Sequence, residues 1–98
     1  MGHSVDMEAF LMERRLLEAA SGNADALYEL GLAYSSGIDG AEPNLVEAHK
    51  WFNLAALNGS RLAQESRAEV ADYMTAREIA EAQRQARAWL TSGMQRAA

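Results

Sequence analysis

The chain alternates between blocks in which apolar residues recur every three or four positions and short breaks of Gly, Ser, Asn and Pro. That period is helical, because residues at i, i+3, i+4 and i+7 share one face of a 3.6-residue turn. Over residues 5–20 it predicts a helix with two apolar stripes, Met7, Phe10, Leu11 and Leu17 in one and Met12, Leu16 and Ala20 in the other. Two stripes imply burial on both sides, or one contact within the chain and one outside it. Ser21-Gly22 ends this helix. Asn23 is a good N-cap, and Ala26, Leu30, Ala33 and Tyr34 then mark a second helix that stops at Gly37, read as a left-handed terminus. Residues 38–43, with Gly40 and Pro43, read as a loop. Asn44 caps a third helix and pairs with Glu47 in the manner of a capping box. The stripe of that helix is Ala48, Trp51, Phe52 and Ala55, and Gly59 stops it. Residues 60–74 predict a fourth helix capped by Ser60, with Leu62, Ala63, Val70, Tyr73 and Met74 able to face inward. Thr75-Ala76-Arg77-Glu78 is a capping box that opens a fifth, striped by Ile79, Ala82, Ala86, Trp89 and Leu90 and closed by Gly93.

Gly31 stands inside the second helix, where it costs about 1 kcal/mol relative to Ala. A close approach by a neighbouring helix would explain it. Small residues at Ala26, Gly31, Ala48 and Ala55 suit a tight antiparallel hairpin whose gaps Tyr34, Trp51 and Phe52 fill. Such a unit leaves one apolar side open and needs others stacked against it.

These residues resemble the Sel-type repeat, a relative of the tetratricopeptide repeat. The pattern runs Ala26, Leu30-Gly31, Tyr34 and Gly37, then Ala48, Trp51, Ala55-Ala56 and Gly59. It departs in the loop, where the family's Gly-x-Gly-Val turn reads Gly37-Ile38-Asp39-Gly40 and Asn44 replaces a later Asp. A shift of 37 residues aligns Ala19 with Ala56, Gly22 with Gly59 and Ala26 with Ala63. The first helix then reads as a capping element, with Arg14 and Arg15 where the repeat has Trp51 and Phe52. Arg67 and Ala68 replace Leu30-Gly31, so the last third reads as a degenerate repeat followed by a capping helix. The resemblance implies one all-α domain over 1–98, a short α/α solenoid of about five helices with a tetratricopeptide-like superhelix. Its parts are a capping helix at 5–21, a repeat hairpin at 23–59, and the degenerate repeat with its cap at 60–93.

Composition narrows the chemistry. Cysteine is absent, which removes disulfide frameworks and thiolate metal sites. No apolar run reaches 18 residues, and the N-terminus lacks a basic region followed by a long apolar core. A cytoplasmic chain is the expectation. Residues 1–49 hold nine acids and two Arg, while residues 50–98 hold five acids and seven bases. Between Arg15 and Lys50 there is no positive side chain, which disfavours nucleic acid and anionic membrane as partners of the first half.

No catalytic motif stands out. His3 and His49 lack partners at metal-ligand spacing, and His49 reads as structural or solvent-facing. The serines lack a nucleophile-elbow context, and the loop from Gly37 to Gly40 is too short to cradle phosphate. Tyr34, Trp51, Phe52, Tyr73 and Trp89 read as core. No catalytic residue, metal ligand or cofactor is therefore expected.

In tetratricopeptide-like hairpins the first helix of each pair lines the concave face. Carried through the resemblance, that face comprises Asp25, Tyr28, Leu32 and Ser35, with Leu62, Glu65, Glu69 and Asp72 added by the shift of 37. It suits a peptide or protein with apolar anchors and basic flanks. The alternative is self-assembly into a homodimer, through the spare stripe of the first helix or through the basic last helix meeting the acidic first half.

Overall fold

The computed structural model describes residues 3–37 and 42–92. Five helices follow one another: α1 (His3–Ala20), α2 (Ala24–Ser36), α3 (Leu45–Leu57), α4 (Arg61–Ala71) and α5 (Ala76–Thr91). Among the described residues every regular element is helical, as a short helical repeat solenoid requires.

The caps are local and chemical. Asn23 Oδ1 accepts from Ala26 N at 2.9 Å, Asn44 Oδ1 from Glu47 N at 3.0 Å, and Ser60 Oγ from Ala63 N at 3.1 Å. Each side chain satisfies an amide that the first turn leaves orphaned. Thr75 and Glu78 form the full reciprocal box at α5. At α3 only half of the expected box forms. The Glu47 carboxylate is drawn instead to Trp51 Nε1, which donates to it at 3.0 Å, and to Lys50 Nζ, also at 3.0 Å. Gly37 has φ 87° and ψ 147°, outside the left-handed helical well, so the chain leaves α2 extended. Tyr34 O then accepts from Asn44 N at 2.9 Å, which pins the two ends of the intervening loop together. Residues 38–41 of that loop, and the expected stop at Gly93, lie outside the described residues.

Helix α3 is the hub. Helices α2, α4 and α5 pack against it, α1 packs against α2, and α2 touches α4 lightly. Its buried face is wider than the predicted stripe, because Leu54 and His49 join Ala48, Trp51, Phe52 and Ala55. Trp51 meets Trp89 of α5 edge-on, with ring centroids 4.8 Å apart. Helices α4 and α5 each dock on α3 rather than principally on each other. The last third, expected as a degenerate repeat with its cap, is two helices docked separately on α3.

Three further expectations are corrected. Helix α4 ends at Ala71, so Tyr73 falls beyond the helix and stands 82% exposed rather than in the core. Leu62 points outward, while Ala63 is fully buried and Val70 packs on the core. Leu90 lies at the edge of the α5 stripe and is exposed. In α1 the two stripes separate cleanly. Met12 and Leu16 pack on the core, whereas Met7, Phe10, Leu11 and Leu17 are open.

The Gly31 expectation is met by Phe52. A methyl group on Gly31 would fall inside the Phe52 ring, 2.9 Å from Cγ and closer still to Cδ1 and Cε1. On helix propensity alone Gly31→Ala would stabilise by about 1 kcal/mol. Here overpacking wins, and the variant is expected to lose a net ~1–2 kcal/mol by urea denaturation. Adding Phe52→Leu should make the double variant less unstable than the sum of the two single losses.

Candidate partner-binding face

The predicted face is carried by two helices that lie side by side on α3. On α2, Asp25 and Leu32 are exposed, and Ser35 is half-buried with its hydroxyl donating to Leu32 O at 3.0 Å. On α4, Leu62, Glu65 and Glu69 are exposed, and Asp72 is the exposed C-cap. Packing of α2 against α4 brings the two sets onto neighbouring elements. Among the described residues, Asp25, Glu65, Glu69 and Asp72 enter no ion pair. Four carboxylates and two leucines are thus presented to solvent without local compensation.

Tyr28 differs from the rest. Its ring lies 5.6 Å from that of Phe52 at an interplanar angle of 43°, and it is half-buried against the core. It braces the Phe52 ring, so its removal reports on stability before it reports on binding.

The polar interior of the stack was missed by sequence reasoning. His49 is 3% exposed, and its Nδ1 is buried without a hydrogen-bond partner among the described residues. Burial, and then the positive charge of Arg67 on α4, push its pKa below the ordinary histidine value. Arg67 itself donates to Asn53 Oδ1, one turn further along α3. The signal was present in the shift of 37, which superposes His49 on the core-facing Met12.

Elsewhere two charged clusters are paired locally. Lys50 sits 4.5 Å over the Trp51 ring while paired with Glu47. Arg84 binds Glu81 through two nitrogens, at 2.9 and 2.6 Å. Among the described residues no group of acids and histidines is arranged to hold a metal ion, and no helix is long and apolar enough to cross a membrane.

A hairpin of small-residue helices locked by aromatic rings, with further helices docked on its second member, defines an α/α repeat module. Comparison with known families agrees: residues 24–60 match the family model of the Sel1 repeat, consistent with a Sel-type repeat protein. Repeats of this kind generally mediate protein–protein interactions. No curated protein and no solved structure matches the chain.

The burial pattern separates probes of the face from probes of the fold. Leu32→Ser and Leu62→Ser are expected to change unfolding free energy by no more than about 0.5 kcal/mol each, because both side chains stand in water. Tyr28→Ala should cost about 2 kcal/mol through lost packing on Phe52. Chemical denaturation of the three variants checks the contrast.

Proposed function

We propose that the chain is a small cytoplasmic adaptor whose α2–α4 face holds a peptide or protein segment with apolar anchors and basic flanks. The observation that carries this reading is the uncompensated set Asp25, Glu65, Glu69 and Asp72 around Leu32 and Leu62. Apolar anchors supply affinity at such a surface, and the acids around them steer and select a cationic partner. Catalysis has no part in this reading. Leu32→Ser with Leu62→Ser should weaken capture of the partner about tenfold or more, with folding intact. Glu65→Gln with Glu69→Gln should weaken it chiefly at low salt. Retention of every bound protein by both variants, measured by quantitative pull-down, would refute the face.

A second reading, self-association through α1, is favoured by its open stripe. Met7 is 55% exposed, Phe10 53% and Leu17 69%. Of these, Phe10 also lines a shallow groove of about 440 Å³ together with Ala9, Met12, Glu13 and Leu16. An apolar helix face of this kind suits a twofold contact in which the same residues meet from both copies. Sedimentation should then show a dimer that persists at high salt and that Phe10→Ser with Leu17→Ser converts to monomer. A wild-type monomer at high protein concentration ends this reading.

A further inference from the structure

The two interfaces that the repeat register makes equivalent are built from opposite chemistry. Helix α1 meets α2 through Met12, Leu16 and Ala19, near Leu30. At a shift of 37 residues the same positions on α3 and α4 are His49, Asn53, Ala56 and Arg67. An apolar joint in the first half has thus become a polar one in the second. Helix α4 brings little apolar surface to this joint: Ala63 is its one buried residue among those described, and Val70 packs alongside.

We infer that the α3–α4 junction is a proton-sensitive joint, in which one proton taken up by His49 loosens α4 from the Sel1 repeat. The geometry gives the reason. An imidazolium at His49 would be 97% out of water by residue area, with Nδ1 unpartnered and a guanidinium close by on α4. Burying such a charge beside a like charge is unfavourable, and release of α4 hydrates both groups. Among the described residues Arg67 is the charge that acts on His49, and the free carboxylates of α4, Glu65 and Glu69, face solvent. Glu29 on α2 pairs with Arg15, Glu81 on α5 pairs with Arg84, and Glu47 on α3 pairs with Lys50.

The sign follows from linkage. Burial and Arg67 depress the folded-state pKa of His49, so the opened form binds the proton first as pH falls. The closed joint is fully stable above about pH 6.5 and weakens progressively below it. Because α4 carries Leu62, Glu65 and Glu69, loosening it would also dismantle half of the proposed partner face. That consequence rests on the adaptor reading, whereas the joint itself does not.

The test is amide hydrogen exchange on the free protein between about pH 7 and 5, corrected for intrinsic exchange. This window lies above ordinary carboxylate titration, and Glu81 is held down to about 2 by hydrogen bonds from Arg84 and Gln85. Opening of α4 should rise as pH falls, by up to about tenfold per unit, the limit for one proton. Amides of α2 should not follow. His49→Met, which installs the residue found at the equivalent position of α1, should flatten the α4 profile. A pH-independent α4 in the wild type, an unchanged slope in His49→Met, or equal loss of protection in α2 and α4 would overturn the joint. If His49→Met fails to fold, the imidazole proton resonance of wild-type His49 decides directly. Its midpoint should lie below the ordinary value and move up toward it in Arg67→Leu. A wild-type midpoint at the ordinary value overturns the inference.

Discussion

The ring of Phe52 occupies the space that Gly31 leaves by having no side chain, and Tyr28 closes over the ring from α2. This contact sets more than a distance. Successive residues on a helix point about 100° apart, so fixing one side chain fixes the direction of every other on that helix. With Phe52 held toward α2, Trp51 is turned to Trp89 on α5, and Asn53 is turned to Arg67 on α4. The hydrogen bond from Trp51 Nε1 to Glu47 and the Lys50 ammonium over its ring hold the same phase from outside. One missing side chain therefore orients the three faces on which the rest of the domain is assembled.

Polarity divides the assembly. Toward the N-terminus the helices meet chiefly through Leu, Met and Ala, with the solvent-exposed Arg15–Glu29 pair at the edge, and the spare face of α1 is apolar as well. Toward the C-terminus α4 is attached partly through the hydrogen bond from Arg67 to Asn53, beside the buried His49, and is mostly solvated on its other sides. A hydrophobic joint tolerates changes in pH and salt, whereas a joint containing a buried imidazole does not. The repeat hairpin is thus the fixed part of the module and α4 the adjustable part.

What the sequence disclosed follows from how locally each feature is determined. The caps Asn23, Asn44, Ser60 and Thr75 act over three residues and were read correctly. The Ala48–Trp51–Ala55 stripe and the need for a partner at Gly31 were also legible, because steric demand inside a helix leaves few options. Tyr73 was misplaced because periodicity was carried past the real end of α4, where helical phase no longer applies. The separate docking of α4 and α5 was not legible, since aligned positions imply a repeat but not that its two helices pair. The change from Leu30-Gly31 to Arg67-Ala68 was the available sign, as it removes the waist that lets two helices close up. Of the residues expected on the α2–α4 face, Tyr28 is the one whose ring packs on another ring, that of Phe52, and such bracing is a tertiary fact that no local pattern announces.

The position of α3 in the chain also orders events during synthesis. Helix α2 leaves the ribosome before α3, so Phe52 can close on Gly31 as soon as α3 is free of the exit tunnel. The partners of Trp51 and of Asn53, on α5 and α4, are made afterwards. In a nascent chain the partner of Phe52 is thus available before that of Trp51, whose indole lacks Trp89 until α5 emerges. Every major contact joins helices adjacent or next-but-one in sequence, and such short-range topology folds quickly once the whole chain is out.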